Sequence, residues 1–116
     1  MIERFDSAGA FHRVVSHGDR LMLAGVTGGA EHQGMRAQTA AALERIDALL
    51  EAHGSDRNHV LHATVYVTDM TLKDEMNEAW LNFFDAAQLP ARATLGVADL
   101  GPGLLIEIVA QAIRKD

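Results

Sequence analysis

The sequence predicts a single two-layer domain of the α/β class, an α+β sandwich in which two helices cover one face of a sheet. Three observations predict it. Two stretches carry apolar residues at helical spacing, each is preceded and followed by extended runs, and the last run is apolar on both of its faces. The 116 residues amount to one core, so residues 1–116 are read as one domain. With 48% hydrophobic and 22% charged residues the balance is that of a soluble globular protein, which sets disordered and fibrous classes aside.

Residues 13–25 read as two short strands: Val14 and Val15 begin the first, Gly18 and Asp19 make a turn, and residues 21–24 form the second. The glycine-rich stretch 25–30 reads as a loop that lets backbone approach a ligand, but it lacks the Gly-Lys-Ser/Thr of a phosphate loop. Residues 33–53 are helical by pattern, with Leu43, Ile46, Leu49 and Leu50 on one side and Glu44, Arg45, Asp47 and Glu51 on the other. Gly54 supplies a left-handed stop.

A strand follows over residues 59–68, placing Leu61, Ala63, Val65 and Val67 on one face and His62, Thr64 and Tyr66 on the other. Thr71, with Asp74 three residues on, reads as the cap of a second helix reaching about residue 87, whose apolar face is Leu72, Met76, Trp80, Phe83 and Phe84. Pro90 prevents its continuation. Residues 92–98 and 104–113 are extended, and the turn-forming residues 99–103 are expected to fold one back on the other. The expected order is ββαβαββ. Two helices cover only one sheet face, while the last strand shows Leu104, Ile106 and Ile108 on one side and Leu105, Val109 and Ile113 on the other. A second copy of the chain is expected to cover the exposed face.

Several chemistries are excluded by composition. The chain has no Cys, so disulfides, thiolate nucleophiles and cysteine-ligated metals are absent. Its net charge is −6 and no Lys/Arg cluster occurs, so nucleic acid is not an expected partner. No signal-like start or long apolar run is present, so no membrane association and a cytoplasmic location are expected. The six histidines show no metal spacing and no serine has a GxSxG context, so neither a metal site nor a serine nucleophile is expected.

Glu107 is the most informative residue, an acid in an oily strand with no other charge before Arg114. Desolvating a lone carboxylate costs several kcal/mol, so a partner is required, either for an ion pair that locks register or for chemistry. Arg92, at the entry of the preceding strand, is the expected neighbour and could clamp an anion. Asn77 lies beside the apolar face of the second helix, where it either binds a ligand or ties a loop carbonyl.

The segments Leu23-Ala24-Gly25, residues 46–55, residues 63–69, residues 76–84, Pro90-Ala91-Arg92-Ala93-Thr94 and Leu105-Ile106-Glu107-Ile108 together make the chain resemble the RidA/YjgF family over nearly its whole length. The resemblance implies a chorismate-mutase-like fold assembled as a homotrimer with sites in clefts between subunits. It also implies an enamine/imine deaminase, a hydrolase converting 2-aminoacrylate and 2-imino acids to 2-keto acids and ammonia without a cofactor. In it Arg92 would hold the substrate carboxylate and Glu107 would serve the attacking water, with Phe11, Ala24, Gly25, Asn77 and Thr94 as further substrate-binding positions. Phe11, Ala24 and Thr94 stand where deaminating members often carry tyrosine, serine and cysteine, which puts substrate preference in question. A non-catalytic module binding a small carboxylate is the alternative, and a ribonuclease is disfavoured by the acidic charge.

Overall fold

Seven strands and two helices form the chain in a computed structural model that describes residues 1–116. They are β1 (Ile2–Ser7), β2 (His12–His17), β3 (Arg20–Leu23), β4 (Val26–Thr27), α1 (Met35–Ala52), β5 (Val60–Val67), α2 (Lys73–Phe83), β6 (Ala91–Gly96) and β7 (Ile106–Ile113). One mixed sheet runs β1-β2-β3-β7-β5-β6, with β4 also paired to β7. Both helices lie on one face, as expected.

The core forms where the helices meet that face. Met35, Leu43, Ile46 and Leu50 of α1 and Met76, Trp80 and Phe83 of α2 close over Val14, Leu21, Ala63, Val65, Val67, Ile106 and Ile108. Each large aliphatic side chain buried there contributes roughly 1.5–3 kcal/mol against solvent exposure. In β7 the alternation is strict: Ile106, Ile108, Ala110 and Ala112 are buried, whereas Glu107, Val109, Gln111 and Ile113 are half-exposed on the uncovered face. Met22 and Leu95 share that face through their pairing with Gln111 and Tyr66 and are exposed. The loop entering β7 is fixed by buried Gln38 of α1, which donates to the Gly103 carbonyl at 2.8 Å and accepts from the Leu105 amide at 2.8 Å.

The sheet differs from expectation in four places. Residues 92–98 and 104–113 do not form a hairpin; β6 pairs in parallel with β5, and β5 pairs antiparallel with β7 between them. An added first strand, β1, pairs with β2 at the sheet edge, and of its residues only Phe5 packs on the core. The segment read as a loop contains β4, so β3 and β4 are one strand crossing β7 with an extra residue at Ala24–Gly25: Met22 pairs with Gln111 but Val26 with Ile108. That is a bulge, a device that bends a strand and re-aims its side chains. In β5 a register irregularity between Val60 and His62 buries Val60 and leaves Leu61 exposed, so Leu61 is not on the core face.

Helix and turn boundaries also move. His59 belongs to a 3₁₀ turn (Arg57–His59), not to the strand, and its ring hydrogen-bonds Asp56 at 2.6 Å. Asp69, not Thr71, supplies the cap before α2: its carboxylate accepts from the Thr71 amide at 2.9 Å and the Thr71 hydroxyl at 2.6 Å, over a 3₁₀ turn that leads into Lys73. α2 ends at Phe83 rather than near residue 87, because Phe84 turns to extended backbone. Gly54 does take the left-handed conformation just past α1, with φ 83°. No helix is long and apolar enough to cross a membrane.

Candidate functional site

The bulge and its neighbours build one half of the candidate site. Thr27 pairs with Glu107, so both side chains leave the uncovered face, and Gly25 lies one bulge turn earlier on the same strand. A Cβ at Gly25 would lie 2.7 Å from the Glu107 carboxyl carbon and 2.9 Å from its Oε2. Glycine is therefore required for the carboxylate to rest where it does. Glu107 is half-buried and has no hydrogen-bond or ion-pair partner within the protomer, so the neighbour demanded by its position is not supplied by this chain's own fold. The same bulge also lines an open cavity of about 510 Å³ on the α1 side of the sheet, where Phe11, Ala24, Gly25, Val26 and Thr27 face Arg45, Ala48 and Leu49; Glu107 does not line it. Three of the expected binding positions, Phe11, Ala24 and Gly25, thus come together.

The other half lies on the helix-covered side. Arg92 pairs in register with buried Ala63, which aims it at α2, and its Cζ lies 5.0 Å from the centre of the Trp80 ring. Thr94, two residues on, emerges from the same side of β6, and Asn77 lies one turn before Trp80 on α2. Both are half-buried. No hydrogen bond ties Asn77 to a loop carbonyl, the bland role open to it from sequence.

A second arginine shows what is unusual about Arg92. Arg57 lies 3.9 Å over the Phe83 ring, but it is neutralised: its Nη2 is 2.8 Å from Asp47 and its backbone amide donates to the same carboxylate at 2.9 Å. Hydrogen bonding to Asp47 raises its pKa. Arg92 has the ring without the acid, and burial alone pushes its pKa down from the ordinary guanidinium value. A guanidinium stays charged even so, and a partly desolvated charge with its N–H donors free is a site for an anion.

Arg92 and Glu107 are not neighbours within a protomer, which corrects the expectation drawn from a β6–β7 hairpin. β5 lies between them, and Tyr66 pairs with both Glu107 and Leu95, three residues along β6 from Arg92. Three residues along and two strands across put their Cα atoms roughly 14 Å apart, with the side chains on opposite faces. Two further residues belong here. Trp80 is more than core, being the sole tryptophan and sharing a helix face with Asn77; Thr27 lies in a strand rather than the expected loop, and its β-branched pair with Val26 is the signal for it.

Fold and site together define a small α+β protein with an unneutralised guanidinium at one sheet edge and an unpaired carboxylate on an uncovered face. The model of the Endoribonuclease L-PSP family matches residues 1–114, and the chain belongs to this family, the YjgF/RidA family. The RutC family protein YoaB of Escherichia coli (strain K12) is 33% identical over 107 residues, covering 92% of this chain and 93% of the relative. A RutC family protein of Pyrococcus horikoshii is 34% identical over 113 residues, with coverage of 92% and 89%. Among solved structures, a member of the YjgF protein family from Neisseria meningitidis superposes with a TM-score of 0.94 at 31% identity, over 100% of this chain and 97% of that one. RidA from the Antarctic bacterium Psychrobacter sp. superposes at 0.84 with 28% identity, over 92% and 90%.

Proposed function

We propose that this protein is an enamine/imine deaminase, hydrolysing 2-aminoacrylate and 2-imino acids to 2-keto acids and ammonia at sites between subunits of a homotrimer. The observation that carries this reading is the pair of unsatisfied groups: a partly buried guanidinium with no acid, and a carboxylate held over Gly25 with no base. Their placement on opposite faces forbids one small substrate from touching both in a single protomer. Arg92 of one protomer meeting Glu107 of the next satisfies both, and the exposed Met22, Leu95 and half-exposed Val109 supply apolar area for that association.

The chemistry follows from the residue types. The planar fork of Arg92 takes the substrate carboxylate through two N–H donors and fixes the adjacent C=N carbon towards the opposing carboxylate. 2-Aminoacrylate reacts as its 2-imino tautomer. Glu107 takes one proton from water as the water oxygen adds to the imine carbon and returns it to nitrogen, giving the neutral carbinolamine. The carbinol hydroxyl then gives its proton, through Glu107, to the same nitrogen, and ammonia leaves with the C–N electron pair as the C=O forms. Water and imine are consumed; 2-keto acid and ammonia are produced. No cofactor enters, because the imine carbon is already electrophilic.

A non-catalytic carboxylate-binding module is favoured by one observation: Phe11 and Ala24 bring no side-chain hydroxyl to the cavity they line. Ribonuclease activity is disfavoured by the net charge of −6 and the lack of a basic cluster. The deciding experiment measures ammonia released from imines generated in situ by an amino-acid oxidase. Acceleration by the protein, lost in Arg92→Ala, is expected; saturable 2-keto acid binding with no acceleration would assign the binding module instead.

A further inference from the structure

Arg92 could not serve as a clamp if its long side chain roamed, since ordering a rotamer-rich side chain on binding works against affinity. What holds it is not a hydrogen bond. Its Cζ lies over the face of Trp80, which is itself only 4% exposed and has the Phe84 ring against it at a centroid distance of 5.0 Å. Phe84 in turn meets Phe83 edge-on at 4.8 Å. The indole is thus a fixed platform anchored in the core, not a mobile surface ring.

From this geometry we infer that Trp80 is the positioning residue of the anion site, holding the Arg92 guanidinium through its ring face so that every N–H donor remains free for the incoming carboxylate. A carboxylate in that role would hold the side chain equally well, but it would occupy the donors and cancel the charge, as Asp47 does for Arg57. A ring quadrupole attracts the cation without using any N–H group. The aromatic platform meets both requirements at once. The inference rests on the anion-binding part of the reading above and not on the hydrolytic step.

The chain contains one tryptophan, so biosynthetic incorporation of fluorinated tryptophan alters this ring alone. Fluorine drains the ring face of negative potential while nearly preserving its shape. Calorimetric titration of the intact oligomer with 2-oxobutanoate, alongside KM and kcat for imine hydrolysis, reads the effect. Across the unlabelled, monofluoro and trifluoro proteins we expect Kd and KM to rise stepwise, by about threefold to tenfold at the end of the series. The kcat should stay within about twofold, because the contact is made equally in ground and transition states. Trp80→Phe, with a weaker quadrupole, should fall within the series. Equal affinity across the fluorine series, or no 2-oxobutanoate binding by the unlabelled protein, would overturn the inference. Fluorine-dependent binding without imine hydrolysis would uphold it while overturning the deaminase reading.

Discussion

Replacing Gly25 by alanine tests whether the Glu107 carboxylate works where it rests. The new methyl would lie 2.7 Å from the carboxyl carbon, 2.9 Å from Oε2 and 3.1 Å from Cγ. Carbon atoms in contact prefer about 3.5–4.0 Å, so the carboxyl group must retreat by about 1 Å. The obstacle is the end of a flexible side chain, so folding stability should change little. A reacting group misplaced by about 1 Å loses on the order of 10²-fold in rate, or about 2.7 kcal/mol of transition-state stabilisation. Ammonia release from imines formed in situ gives kcat/KM, and thermal denaturation of the same sample gives stability. A Gly25→Ala protein with an unchanged melting temperature and about one hundredth of the activity is expected. Unchanged kcat/KM would refute the placement of Glu107 in the reaction.

Arg92→Lys should be as inactive as Arg92→Ala in that assay, because an ammonium lacks the planar fork; recovery by lysine would contradict bidentate binding. Glu107→Gln should lower kcat by roughly 10²–10⁴-fold without changing the sedimentation of the assembly. Leu95→Asp places a charge on a residue that is 45% exposed in the protomer, so the fold should survive while the oligomer dissociates and activity disappears; an active monomer on an ultracentrifuge would contradict shared sites. The hydrogen bond from His59 holds the Asp56 pKa below the usual carboxylate range. A depressed folded pKa adds stability above the unfolded value that is lost as pH falls through the folded one. The destabilisation of Asp56→Asn, measured by denaturant titration, should therefore shrink below about pH 4.

Both helices and β5 were legible because burial there follows a simple period, as in Leu43, Ile46 and Leu50 or Ala63, Val65 and Val67. β1 was missed because a strand at the sheet edge needs only one apolar contact, Phe5. The pairing of β6 went wrong because the turn residues 99–103 invite a local hairpin. Strand–helix–strand units instead favour parallel pairing through a right-handed crossover, and β5, α2 and β6 are such a unit. That same error hid the most consequential fact about the site. Glu107 and Arg92 were each recognisable as charges out of place, but which sheet face each occupies depends on register across three strands and a bulge. No local pattern encodes that.

Subunit mixing addresses the shared site most directly. Arg92→Ala and Glu107→Gln proteins, each inactive alone, are unfolded together and reassembled in equal amounts. If a site takes its guanidinium from one protomer and its carboxylate from the next, about a quarter of the sites in a randomly mixed ring regain both wild-type groups. Ammonia release should then return to about a quarter of the wild-type rate. A mixture as inactive as its components, with mixed oligomers demonstrated by mass spectrometry, would contradict the account.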